Sequence, residues 1–242
     1  MTGTKKGLDA TTIKMIAIIA MVIDHIAWKF VPMSSGLGQL MHAVGRLTGP
    51  IMCYFIAEGY RHTRSVRKYM ERLFVFAAIS VIPFSYFETG TLNIYSFGMI
   101  FTLALGLAAI AAYEQISNPF LKWLAIAGLC LASMFGDWPI FGIAMCLIFH
   151  IYHDQFRDQV IAMGIMIIIM MVLMISPYKL QEISLGEAMF SNIYQLAVMV
   201  PVFLLRLYNG ERGGGKYSGW FFYVFYPAHL VILGFLYYSV FK

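Results

Sequence analysis

Charge is what this chain has least of. Asp, Glu, Lys and Arg make up 12% of its 242 residues, where a soluble domain carries about a quarter. That scarcity, beside 60% hydrophobic residues, excludes an ordinary soluble domain and points to a chain that crosses a membrane several times. Cysteine is scarce too. Cys53, Cys130 and Cys146 lie far apart within apolar runs and lack metal-ligand spacing. They read as buried small hydrophobes, and no metal is expected. No internal period of about 20 to 50 residues recurs, which excludes a solenoid. No small-residue cleavage site follows the first apolar run, so that run reads as a retained span rather than a signal peptide. The net charge of +5 is spread in a way that describes topology, and no nucleic-acid partner is expected.

Apolar runs are what the chain has in abundance. A helix needs about 20 apolar residues to cross a hydrocarbon core of about 30 Å. Nine stretches qualify: 13–31, 39–60, 73–87, 97–115, 120–136, 138–152, 159–177, 188–207 and 220–241. Residues 120–152 form either two crossings or one re-entrant pair. The expectation is a single all-α domain over 1–242, a polytopic helical membrane bundle of about nine spans. With the N-terminus inside, thirteen Lys and Arg fall on inner segments and three on outer ones (Lys29, Lys179, Lys242). That bias makes the N-terminus cytoplasmic.

Against this apolar background a few polar residues stand out. Asp24 and His25 interrupt the first run, Arg46 the second, and His229 the last. Ionisable groups inside spans are costly and mark functional sites. At 1.5 Å rise per residue, Asp24, His25 and Arg46 all fall about 10 Å below the outer face. Asp24 and Arg46 are thus level and can pair. His42, four residues before Arg46, shares its helix face. Adjacent helix residues point about 100° apart, so Asp24 does not orient His25 directly. His25 is therefore the expected general base, or the carrier of an acyl group. Arg46 would stabilise an oxyanion or hold Asp24. Tyr226-Pro227 loosens the helix before His229.

The segment Asn209-Gly210-Glu211-Arg212-Gly213-Gly214-Gly215-Lys216 matches a G-x-x-x-x-G-K pattern by letter. It is no P-loop, because Tyr217 stands where Ser or Thr would hold magnesium and no strand precedes it. Glycines bare backbone N–H groups, and Arg212 and Lys216 flank them, so it is a candidate phosphate cradle. The basic run Arg61 to Lys68 sets topology at the lipid headgroups, with a secondary role in gripping a polyphosphate. The seventeen methionines, many of them between Ile161 and Ile175, read as lipid-facing or packing residues.

Several segments together resemble the TraX family over nearly the whole chain. They are Ile13-Lys14-Met15-Ile16-Ala17 through Val22-Ile23-Asp24-His25, Gly45-Arg46-Leu47 with Pro50-Ile51, and Glu58-Gly59-Tyr60-Arg61-His62-Thr63-Arg64. Pro83-Phe84, Phe101-Thr102-Leu103-Ala104-Leu105-Gly106, Tyr208-Asn209-Gly210-Glu211-Arg212-Gly213 and Phe225-Tyr226-Pro227-Ala228-His229-Leu230 continue it in order. That family is named for a conjugation protein that acetylates the N-terminus of F-type pilin, and it is similar in style to membrane acyltransferases that use cytoplasmic acetyl-CoA. Position by position, the resemblance implies roles for Asp24, His25, Arg46, Glu58, Asn209, Arg212 and His229.

The resulting expectation is an acetyl-CoA-dependent acyltransferase of a bacterial-type inner membrane. Its catalytic residues would be His25, Asp24, Arg46 and His229. The donor would be held by Arg212, Lys216, Asn209, Gly210, Gly213, Arg61, Arg64 and Glu58. The acceptor would be an amine or hydroxyl on a peptide, a pilin or another small molecule, and membrane lipids would surround the protein. A transporter or flippase, or a non-enzymatic assembly factor, are the alternatives. Buried charges mark ion pathways and packing devices as well.

Overall fold

The computed structural model describes residues 6–180, 184–215 and 218–241. Those residues are helical almost throughout. The isolated bridges among them join Leu8 to Tyr208 and Phe97 to Gly136. They fall into two compact units, Met1–Ile51 with Gln155–Lys216, and Met52–Asp154 with Tyr217–Lys242.

The first unit opens with α1, Ala10–Phe30, capped by the Asp9 carboxylate accepting from the Thr12 N–H at 2.7 Å. Pro32 ends it. A tight turn follows, in which the Ser35 N–H and hydroxyl both donate to the Pro32 carbonyl. Ser35 then caps α2, Gly36–Gly45. The run 39–60 was expected as one span, but it is broken. A helix bend at Arg46-Leu47 separates α2 from α3, Thr48–His62. The cause is Pro50. In an unbroken helix its ring would clash with the carbonyl four residues back, that of Arg46. The Thr48 hydroxyl anchors the restart by donating to the Ala17 carbonyl at 2.9 Å. The unit is completed by α8, Phe156–Leu180, α9, Leu185–Asn192, a 3₁₀ stretch, Ile193–Met199, and α10, Val200–Leu204. α2 packs on α1 and on that 3₁₀ stretch. Along α8, Met163, Met166 and Met170 are buried while Ile161, Ile165, Ile168 and Val172 are exposed. These methionines thus fill the core beside Ile167, and most of the β-branched residues face the surrounding medium.

The second unit holds α3 from Met52 onward, α4, Val66–Thr89, α5, Met99–Gln115, α6, Pro119–Ala132, α7, Phe141–Ile151, and α11, Ser218–Leu236. α4 packs on α5 and α11, and α5 packs on α6 and α7. Gly98, before α5, offers no side-chain cap, and the Tyr226 hydroxyl accepts from the Met99 N–H instead, at 3.0 Å. Cys53 and Cys146 are buried and reduced.

Among the described residues five helical segments are long and apolar enough to cross a membrane: Ala10–Phe30, Val66–Thr89, Phe156–Pro177, Leu185–Leu207 and Gly219–Phe241. The expected count of nine is too high. Met99–Gln115, Pro119–Phe135 and Phe141–Ile151 are apolar but short. At 1.5 Å rise, 17 and 11 residues extend only about 25 and 16 Å.

Candidate functional site

The first unit gathers three ionisable groups, Asp24, His42 and Arg46, at one place. Asp24, on α1, faces Gly45 on α2, and a Cβ on that glycine would overlap the Asp24 side chain. The absent side chain lets the two helices close up, as small residues do between membrane helices. Close approach brings two partners to one carboxylate. His42 Nδ1 donates to Asp24 Oδ1 at 2.8 Å, and Arg46 Nη2 donates to Asp24 Oδ2 at 3.4 Å. Tyr194 of the 3₁₀ stretch covers both, its ring centroid 5.1 Å from the Arg46 guanidinium carbon and 5.5 Å from the His42 ring. The expected Asp24–Arg46 pair is present, and His42 joins it. His25 is buried with its ring 6.2 Å from that of Trp28.

A carboxylate can only accept, so the proton between Asp24 and His42 sits on Nδ1. The lone pair of the neutral ring is then on Nε2, pointing away from the aspartate. That division, one nitrogen held by a carboxylate and the other basic, is the arrangement of a general base.

The glycine loop lies in the same unit and does something the sequence does not suggest. Its carbonyls, not its N–H groups, meet the start of α1. Ala10 N–H donates to Glu211 O at 2.9 Å and Thr11 N–H to Arg212 O at 3.1 Å. The Thr11 hydroxyl adds a bond to Arg212 O at 3.0 Å. Leu8 and Asn209 exchange with the same strand-like edge. Helix N-termini leave such donors unpaired, and here the loop satisfies them. Gly213 has φ +60°, and any Cβ there would meet the Asp9 carboxylate. Asn209 is half-buried, whereas Gly210 and Arg212 are exposed. Lys216 lies outside the described residues.

In the second unit, Glu58 is buried and takes two imidazoles, His62 Nε2 and His153 Nε2, each at 3.1 Å. His153 Nδ1 meets Asp154 at 2.8 Å, and His150 Nε2 meets Glu114 at 2.7 Å. Arg61 donates to the His150 carbonyl at 2.9 Å, and Arg64 is exposed. His229 is buried, stacks on Phe225 at 5.2 Å between centroids, and has Nδ1 bonded to the Phe225 carbonyl at 3.0 Å. Its lone pair is therefore on Nε2 as well. Among the described residues no group of three or more His, Cys, Asp and Glu is arranged to hold a metal ion.

Sequence reasoning noted His42 only as a neighbour of Arg46, and it missed the partners His150, His153 and Tyr194. His42, His150 and His153 carried a signal, because each is polar at the edge of an apolar run. Tyr194 carried none, since aromatic residues are ordinary in such runs.

Comparison with known proteins now decides the family. The pattern described as TraX protein matches residues 9–237. The chain belongs to the TraX family. A relative from Dichelobacter nodosus, "Probable fimbrial assembly protein FimC, serogroup H1", is 31% identical over 236 residues, covering 93% of this chain and 94% of that protein. No solved structure matches. The TraX membership and the apolar helices together make this a multi-pass membrane protein.

Proposed function

We propose that this TraX-family protein is a membrane acyltransferase of a bacterial-type inner membrane. It would move an acetyl group from cytoplasmic acetyl-CoA to an amine or hydroxyl acceptor, such as a peptide or pilin N-terminus. The observation that carries the reading is the Asp24–His42–Arg46 cluster between α1 and α2 of the first unit, with His42 buried. It combines an oriented imidazole with a cation able to face a developing oxyanion. The base is one of the buried imidazoles His25, His42 and His229. Asp24 and Arg46 orient and stabilise. Arg212, Lys216, Asn209, Gly210 and Gly213, with Arg61, Arg64 and Glu58, are the donor-side residues. Of these, Arg212 and Arg64 are exposed cations suited to phosphate.

The donor side is tested by binding CoA to the purified protein. Affinity is expected to fall as salt is added, because exposed Arg and Lys are screened. Arg212→Ala with Lys216→Ala is expected to weaken binding about tenfold or more, two lost charge-assisted bonds costing at least 1.4 kcal/mol. Gly213 is left alone in that variant because it holds the loop against α1. Unchanged affinity in the double variant removes the glycine loop from the donor site.

The orientation has its own test. The positive-inside bias puts residues 61–72 on the cytoplasmic side. A membrane-impermeant maleimide should therefore spare Arg64→Cys in intact cells and label it after permeabilisation. Labelling of intact cells reverses the topology and with it the cytoplasmic donor.

The printed name of the Dichelobacter relative favours one second reading, a non-enzymatic factor in fimbrial assembly. In that case the buried cluster is a packing device. Release of CoA from acetyl-CoA in the presence of acceptor separates the two readings, since an assembly factor gives none.

A further inference from the structure

The stripe Gln39, His42, Arg46 runs along one face of α2 at spacings of three and four, and the element packed against that helix is the 3₁₀ stretch carrying Tyr194 and Gln195. Two amides on these elements, Gln39 on α2 and Gln195 on the 3₁₀ stretch, share an unusual feature. Gln39 is 7% exposed and Gln195 is 2% exposed. The Gln39 Nε2 donates to the Met33 carbonyl at 2.9 Å, and the Gln195 Nε2 meets the Met174 sulfur at 3.4 Å. These bonds fix which end of each amide is the oxygen. Turning Gln39 over would set two acceptors against one another. Both Oε1 atoms are buried, and neither has a hydrogen-bond donor among the described residues. Buried polar atoms are nearly always paired, and one that is not calls for a partner. Here two acceptors ask for donors, one on the helix that carries His42 and Arg46 and one on the stretch packed against it. Seven consecutive residues of 3₁₀ helix are also more than the usual three or four, and such stretches mark functional segments.

We propose that the seam between α2 and the 193–199 stretch binds the acceptor, and that His42, not His25, is the base. The proposal rests on the acyltransferase reading above. The ligand class is a protic nucleophile, a neutral amine or a hydroxyl, whose N–H or O–H groups donate to Gln39 Oε1 and Gln195 Oε1. A cation is disfavoured beside Arg46. His42 Nε2 takes the proton of the attacking N–H or O–H as nitrogen or oxygen bonds to the acetyl carbonyl carbon. The carbon–sulfur bond then breaks. The leaving thiolate receives the proton from the imidazolium, and His42 returns to its neutral form. Asp24 holds the Nδ1 proton throughout and stabilises the imidazolium that forms. Arg46 faces the oxyanion. His42 is the catalytic residue in this scheme, and Asp24, Gln39 and Gln195 are positioning residues.

The experiment uses the full chain in detergent, radiolabelled acetyl-CoA, and two probes. One probe is a peptide with a free N-terminal amine, and the other is its twin ending in an α-hydroxy acid. The informative variant is His42→Asn. Its side-chain N–H stands where Nδ1–H stands and keeps the bond to Asp24, but it has no basic nitrogen. With wild-type thermal stability, His42→Asn should lose turnover about a hundredfold or more, the scale of a lost general base. Gln39→Leu and Gln195→Leu should raise KM for the acceptor with kcat little changed. Full turnover in His42→Asn overturns the base while leaving the acyltransferase reading intact. No transfer to either probe by the wild-type protein overturns that reading and this proposal with it. Should His42→Asn not fold, ¹⁵N imidazole spectra of the wild-type protein decide. A His42 ring protonated on Nδ1, together with the KM effects, supports the assignment, and a ring protonated on Nε2 overturns it.

Discussion

Asp24→Ala should lower the stability of this protein by about 3–5 kcal/mol, the range for removing one member of a buried charge pair. The reason is arithmetic on partners. Asp24 and Arg46 side chains are 14% and 16% exposed, so solvent screens neither well. Removing the carboxylate takes the acceptor from the Arg46 guanidinium and from His42 Nδ1 in one step. Arg46 keeps the face of Tyr194, and a cation–π contact is worth only about 0.5–2 kcal/mol. Arg46→Ala should cost less. Asp24 then still accepts from His42. The double variant Asp24→Asn with Arg46→Gln removes both charges and keeps an acceptor for His42. It should therefore recover most of the loss. Activity should not return with stability, since the orienting carboxylate and the oxyanion cation are both gone. Thermal melts of the three purified variants test the ordering. A melt of Asp24→Ala that coincides with wild type would mean that the pair contributes nothing net, as some buried pairs do.

The sequence made the Asp24–Arg46 pair visible because depth and charge are both readable from a list of residues. Counting positions from the ends of two apolar runs put them level. It did not reveal the bend that makes the meeting possible, although the cause was in view. Pro50 forbids a straight helix through Arg46, and an apolar stretch scored for length alone hides that. The overcount of crossings has the same origin. Runs such as 138–152 are apolar enough, yet only Phe141–Ile151 is helical there, too short for the hydrocarbon core. The glycine loop shows a different gap. Its letters drew attention to its N–H groups, and the structure adds that its carbonyls at Glu211 and Arg212 accept from the first turn of α1. Main-chain direction is not written in composition. The Glu58, His62, His153 and Asp154 chain in the second unit was invisible because Glu58 and His62 stand 91 to 96 positions from His153 and Asp154 in sequence. Glu58 and His62 share a motif with each other but not with His153 and Asp154.

The largest effect from a small change should come at Gly45. By helix propensity alone, Gly45→Ala should stabilise α2, since glycine is about 0.8–1 kcal/mol worse than alanine inside a helix. Packing opposes it. An added Cβ would overlap Asp24 Cβ, Cγ and Oδ1, none of which is the loose end of a long side chain. Asp24 cannot swing aside without releasing His42 and Arg46. The alternative is to push α2 off α1, which would also separate Thr48 from the Ala17 carbonyl. Overpacking typically costs about 1–3 kcal/mol, and here a charge pair loosens with it, so sterics outweigh propensity. The same helix supplies its control. Gly36, its first residue, has no atom within 4 Å of an added Cβ. Gly36→Ala should leave stability unchanged or raise it by up to about 1 kcal/mol. Opposite signs for two identical substitutions on one helix, read from melts of the purified chain, are the expected result. Gly45→Ala as stable as Gly36→Ala would mean that α1 and α2 do not meet at Asp24, and the cluster on which the site is built would have to be redrawn.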